Sequence, residues 1–280
     1  MLLPGFHQWT QADYRRKVSD PFAYTASTVC RLARDPREPA IVESTPAMTL
    51  GSALHTALLE PADFADRHPV APKCDRRTTI GKQDYAAFLA GCRASSEPIT
   101  AEQYDAVRKG VDAVDANPEA RALISAHGMR EGSAVVDLDL DAYDGAGPLL
   151  IRAGARPDLV TTDATLVQVK SSWNGYDPRK FAYTLRDMRY LAGEAWCAAI
   201  TAAAGGFAVE RIAFVVVEAP TSERGRGLCR VYSARVDGSA LSRGFEQACA
   251  AIRRHQRWMA NAAEVVAELD YTVDISEWEV

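Results

Sequence analysis

The residues best suited to do chemistry lie along two short apolar stretches. Arg156-Pro157-Asp158-Leu159-Val160 is followed by a polar Thr161-Thr162-Asp163-Ala164 and then by Thr165-Leu166-Val167-Gln168-Val169-Lys170-Ser171-Ser172. Both outer pieces are rich in Val, Leu and Thr, which reads as strand, turn, strand. Alternation along the second places Thr165, Val167 and Val169 on one face and Leu166, Gln168 and Lys170 on the other. If the first strand pairs with the second, Asp158 projects toward the same spot. A carboxylate, a carboxamide oxygen and an ammonium then converge at one end of a hairpin, an arrangement suited to a divalent cation, a phosphate and a water. Taken alone, such a hairpin is more often a solvated surface turn. The rest of the chain has to carry the argument.

The chain has 280 residues, 48% hydrophobic and 25% charged, which bounds it to one large globular domain or one domain with a lobe. No stretch approaches the ~20 apolar residues of a membrane span. The N-terminal MLLPGFHQWTQADYRRK lacks the basic-then-apolar pattern of a secretory signal. Six cysteines without a CxxC spacing point to reduced, mostly buried thiols in a cytoplasmic protein. The net charge of −5 argues mildly against nucleic acid, although a local basic groove can coexist with an acidic exterior.

Residues 1–25 show no long periodicity and read as irregular. Thr25 caps a short helix through Val29 to Ala33, and Pro36 and Pro39 interrupt the chain. Over 46–60, Leu50, Leu54, Ala57 and Leu58 form an apolar stripe with His55 beside it. Gly51 and Ser52 on that helix allow close backbone approach. A lone His there is ordinarily packed or solvated, though His is also a common metal ligand. Residues 61–82 read as a loop with Lys73, Arg76, Arg77 and Lys82, either solvated or in contact with a polyanion. Helices follow at about 83–94 and 100–114, the second with Thr100 and Gln103 in capping-box spacing, and a shorter one at about 118–126.

From Arg130 the period changes to two. Strands are expected over Ala134 to Leu140 and from Leu149 through Arg156-Pro157 to Val160, with Glu131 opening the sheet. A strand-end Glu is ordinarily exposed. Asp177-Pro178 starts a helix that runs, with a break, to about Ala204 and ends at Gly205-Gly206. Arg211 to Glu218 reads as a buried central strand, Leu228 to Val236 as another strand, and 239–268 as one or two helices. The order implies an α/β (α+β) fold, a mixed central sheet flanked by helices. Its expected organisation is one domain over 1–280. A mainly helical part covers 1–130, the sheet core 131–236, and C-terminal helices 237–280.

These residues, in this order, resemble the PD-(D/E)xK nuclease fold, and within it the C-terminal nuclease of the RecE (exonuclease VIII) family and its phage relatives. Gly51-Ser52-Ala53-Leu54-His55-Thr56-Ala57-Leu58-Leu59-Glu60-Pro61 is similar to that family's helix with a metal-site histidine. Arg76-Arg77-Thr78-Thr79-Ile80-Gly81-Lys82 resembles its arginine–threonine–glycine–lysine segment. Arg156-Pro157-Asp158 and Gln168-Val169-Lys170 fall where its catalytic Asp and acidic-x-Lys stand, and Glu131 followed by strands also fits.

The resemblance implies Asp158 as a bridging metal ligand, Gln168 as a weaker oxygen ligand and the Val169 carbonyl as a further one. His55 and Glu131 complete the shell for Mg²⁺, with Mn²⁺ able to substitute. Lys170 orients and helps deprotonate the attacking water. Arg76, Arg77, Lys82 and Tyr190 contact DNA. The activity implied is a 5′→3′ exonuclease on the ends of linear double-stranded DNA. The implied partners are a single-strand annealing protein in recombination and further copies of the chain in a ring.

Two departures matter. The family has Asp or Glu where Gln168 stands, and a Gln and a Tyr where Gly193 and Cys197 stand. Asp187, Arg189 and Glu194 are the nearby polar residues that could substitute. The departures keep a catalytically degenerate DNA-binding or assembly protein open as an alternative, beside an endonuclease of the same fold. An iron–sulfur nuclease is disfavoured because no cysteine follows Cys249.

Overall fold

The structure, a computed structural model, describes residues 5–20, 22–37, 45–172, 177–218 and 227–261. The helices are α1 (Gln11–Ser19), α2 (Ala26–Leu32), α3 (Pro46–Leu59), α4 (Phe64–Arg67), α5 (Thr79–Gly91), α6 (Ala101–Asp115), α7 (Pro118–Ser125), α8 (Asp141–Asp144), α9 (Pro178–Asp187), α10 (Tyr190–Gly205) and α11 (Ser239–Ala260). The strands are β1 (Gly128–Arg130), β2 (Ala134–Asp139), β3 (Leu150–Ala155), β4 (Leu159–Thr161), β5 (Thr165–Ser171), β6 (Arg211–Val217) and β7 (Cys229–Arg235). Five strands form one sheet in the order β1-β4-β5-β6-β7, and β2 and β3 form a separate ribbon. Among the described strands β5 and β6 pair in parallel and the other strand pairs are antiparallel. The expected mixed sheet flanked by helices is therefore present.

The hairpin alternation holds. β4 pairs with β5 in the register Leu159↔Val167 and Val160↔Leu166. Leu166 joins Ile212, Phe214 and Val216 in a core closed by α2, α10 and α11, with Trp196 and Leu241 among its buried side chains. Val167 and Val169 face the other way, onto Leu54, Leu58, Val114 and Ile124 from α3, α6 and α7. The near-continuous apolar run of β6 follows from this placement, since a central strand is covered on both faces.

Caps set the helix boundaries. Thr25, Thr45 and Thr100 each accept from the backbone N–H three residues on, and Gln103 returns the bond to Thr100. Asp177 caps α9 ahead of Pro178. The expected break in the following helix falls at Arg189, which is left-handed at φ 54°. Gly206 ends α10 in the left-handed region.

Several expectations are corrected. Residues 1–25 are not wholly irregular, because Thr10 caps α1 by accepting from Asp13 N. The 61–82 stretch is not one loop. It holds a 3-10 turn at Pro61–Asp63, then α4, and Thr78 Oγ1 accepts from Gly81 N at 3.0 Å. That cap starts α5 at Thr79, so Lys82 lies in the helix's first turn while Arg76 and Arg77 precede it. The strand expected to run from Leu149 to Val160 is two strands in two sheets, broken at Arg156-Pro157. Proline has no N–H for a ladder, so the break falls where pairing would fail. Of the six free thiols, Cys197 and Cys249 are buried and the other four half-buried, fewer in the core than expected. Of the one or two helices expected over 239–268, α11 runs to Ala260, and the part of that expectation beyond 261 lies outside the described residues. Among the described residues, no helix is long and apolar enough to cross a membrane.

Candidate metal centre

Asp158 stands just before β4, where Pro157 leaves the neighbouring backbone without a competing donor. Its Oδ2 accepts from Val169 N at 2.7 Å. A strand residue's N–H and C=O point to the same side. The Val169 carbonyl therefore also faces this edge, and the register places Pro157 opposite it with no N–H to cover it.

His55 reaches the same place from α3, its Nδ1 3.4 Å from Asp158 Oδ2. Gly51, one turn earlier, allows this. A Cβ there would already stand 3.1 Å from Ser171 Oγ, so α3 crosses β5 at close range. Glu131 comes from the turn after β1, left-handed at φ 49°, with its N–H donating to the Asp158 carbonyl at 3.0 Å. Its carboxylate pairs with Arg156 Nε at 2.9 Å, and its side chain is only 13% exposed. The expectation of an exposed strand-end carboxylate is corrected: the backbone bond to Asp158 and the Arg156 pair turn Glu131 inward. One ligand atom from each of His55, Glu131 and Asp158 lies within 4.8 Å of the other two.

Lys170 and Gln168 share the opposite face of β5, toward α10. Lys170 Nζ is 2.8 Å from Glu194 Oε1 and sits 5.3 Å from the centre of the Tyr190 ring. Gln168 is buried, its Nε2 3.9 Å from Cys197 Sγ. Tyr190 thus lies beside Lys170, half-buried. Arg76, Arg77 and Lys82 are exposed, with Arg76 stacked over Tyr85 at 4.7 Å. The hydrogen bonds that build the cluster involve none of these three.

Two further residues take part, of which sequence reasoning had named only Glu194, as one of several candidates. Arg156 is a buried guanidinium that holds Glu131 and donates to the Trp9 carbonyl and to Ser133 Oγ. Glu194 was one of three polar candidates near Gly193, and the structure brings it alone onto Lys170. The signal was present: Glu194 is the one charged residue between Tyr190 and Gly205 on an otherwise apolar helix. Gly193 has a packing reason too. A Cβ at that position would lie 2.4 Å from Cys30 Sγ and 2.8 Å from the Ala26 carbonyl oxygen, so α2 occupies the room a longer side chain would need.

Burial disfavours charge on every group here, and the neighbours decide the outcome. Burial, with Asp158's charge adding to it, pushes Glu131 up to about 7 against the pull of Arg156 and His55. Burial would raise Asp158 as well, but His55, Lys170 and the Val169 N–H outweigh it and hold the carboxyl below its ordinary range. His55 is pushed down by burial and pulled further up by Asp158 and Glu131. Lys170 loses hydration, yet Glu194 and Asp158 keep it firmly an ammonium. Burial lifts Glu194 above the usual carboxylate range despite the lysine.

The donor set fits a divalent cation. One imidazole and two carboxylates, with a backbone carbonyl on the same edge, form a hard-to-borderline N/O site. Asp158's charge opposes ionisation of Glu131, and a cation between the two carboxylates would relieve that repulsion.

No family model matches the chain, and no curated protein matches it. Among solved structures it is similar to a candidate exonuclease from Eubacterium rectale, at 10% identity, 90% of this chain and 86% of that one, with a TM-score of 0.55. It also matches LHK-Exo in complex with dAMP at 16% identity over 80% of this chain and 97% of that one. The TM-score there, 0.31, is too low to argue from. The first of these likenesses shows that the chain shares the fold of that protein.

Proposed function

We propose that this protein is a divalent-metal-dependent exodeoxyribonuclease that acts 5′→3′ from the ends of linear double-stranded DNA. The observation that carries it is the convergence of His55, Glu131 and Asp158 at one end of the β4–β5 hairpin, with Lys170 beside them. The resemblance of the motifs in their order supports the direction. It also supports a role in recombination beside a single-strand annealing partner, and assembly into a ring.

Bound there, the cation, Mg²⁺ with Mn²⁺ as substitute, would lower the pKa of a water and offset charge on the phosphate. Asp158, Glu131, His55 and the Val169 carbonyl would hold it, with Gln168 as a weaker neutral donor. Lys170, an ammonium in the free protein, is suited to orient the attacking water and stabilise charge on the phosphoryl oxygens. To take a proton it must first lose its own, which the approach of a cation favours. Tyr190 packs against that ammonium and steadies it.

The test is Mg²⁺-dependent digestion of end-labelled linear duplex beside a covalently closed circle. Loss of the linear species with the circle intact is expected. A cut circle would instead make the protein an endonuclease. Inertness toward both would favour the degenerate reading, whose motivation is the neutral, buried Gln168 where a carboxylate is expected.

The exposed Arg76, Arg77 and Lys82 are expected to contact DNA phosphates. Replacing all three with Ala should weaken binding on every sequence alike. The log–log salt slope should become shallower by roughly 0.9 per lost contact. An unchanged slope would leave the start of α5 a solvated surface.

A further inference from the structure

Glu194 is 4% exposed, carried by an apolar helix, and makes one ion pair. Its Oε1 takes Lys170 Nζ at 2.8 Å, while its Oε2 is buried with no hydrogen-bond partner. Buried carboxylate oxygens are ordinarily satisfied, so an orphan one points to a ligand. The group it would serve is close by. Its partner Lys170 directly follows Val169, whose N–H donates to Asp158 Oδ2 at 2.7 Å, although Glu194 lies outside the tight triad. Gln168, on the same face of β5 as Lys170, is a neutral carboxamide where the resembling family has an acid. The hairpin is therefore one acid short, and a buried acid with a free oxygen stands one helix away.

We infer that Glu194 is a positioning residue that replaces, from α10, the carboxylate the hairpin lacks at Gln168. Its Oε2 holds a water of the cation bound by His55, Glu131 and Asp158 while its Oε1 holds Lys170. This rests on the metal-site reading above and adds to it a source for the missing charge. Gly193 makes the exchange intelligible. Packing of Ala26 and Cys30 leaves no room for a side chain at 193, and the polar contact to the site comes instead from the next residue along. The arrangement also gives the half-buried lysine a counter-ion carried by α10.

The experiment is calorimetric titration of Mn²⁺ into DNA-free wild type, Asp158→Asn, Glu194→Gln and the double variant Gln168→Glu with Glu194→Gln, each checked by thermal melting. Wild type is expected to bind and Asp158→Asn to lose binding. Glu194→Gln should weaken affinity about 10- to 100-fold, the range typical of residues that act through a metal's ligands. The double variant, with its acid moved to position 168 on the face of Lys170, should recover most of that loss. If Glu194→Gln binds as wild type while Asp158→Asn does not, the inference is overturned and the metal site stands. If binding ignores Asp158, the site reading fails and the inference with it. If Glu194→Gln melts early because Lys170 is left unpaired, the double variant decides alone: affinity near wild type supports the exchange, and a persistent deficit overturns it.

Discussion

Lys170→Ala and Asp158→Ala should each lower the digestion of linear duplex by roughly 100- to 10,000-fold, the range seen when a proton-transfer or charge-stabilising group is removed. The two losses differ in their structural cost. Removing Lys170 leaves Glu194 without a counter-ion, but burial already lifts that carboxyl toward its neutral form, so a proton can take the lysine's place. Removing Asp158 is harder on the fold. The Val169 N–H loses its acceptor and His55 loses the carboxylate beside it. A buried unpaired donor costs about 1–3 kcal/mol. Lys170→Ala is thus the cleaner probe, and Asp158→Asn keeps the acceptor while removing the charge. Near-wild-type turnover by folded Lys170→Ala would remove the site assignment.

Gly193→Gln, which would restore the residue the resembling family carries, is expected to destabilise the protein instead of improving it. Helix propensity alone favours a non-glycine residue here by about 1 kcal/mol. The packing argument opposes that gain. The first added carbon would stand 2.8 Å from the Ala26 carbonyl oxygen and 2.4 Å from Cys30 Sγ, and the backbone oxygen cannot rotate away. Overpacking of this kind costs typically 1–3 kcal/mol and occasionally more. The net effect should be a fall of several degrees in melting temperature. Gly193→Ala separates the two effects, since it adds the clashing carbon and little else. A rise in melting temperature for Gly193→Ala would mean that α2 and α10 do not meet as closely as described.

What the chain's local sequence determined about this protein is the part written in periods and caps. Alternation over 165–170 set which side chains of β5 face α3 and which face α10. The threonines at 25, 45 and 100 and the Asp177-Pro178 pair set where helices begin, because each cap is a bond within three residues. The apolar run over 211–217 marked the central strand, because a strand covered on both faces needs no polar side. The Thr78 cap of α5 is a local bond of the same kind as the other threonine caps, and the basic composition around it hid it. Only the tertiary structure decided the rest. Pro157 marks where one apparent strand breaks, but that its two halves join different sheets depends on where β2 and β1 lie. Residues 55, 131 and 158 meet within a few ångströms through a left-handed turn, a helix crossing and a strand end, none of which any short window contains. Glu194 is the clearest case. Its charge on an apolar helix was visible in the sequence, but its partner, Lys170, is 24 positions away on β5 and is reached only because α10 packs across that strand. Local bonds are legible from neighbours; a buried ion pair is legible only once the surfaces that exclude water have been assembled around it.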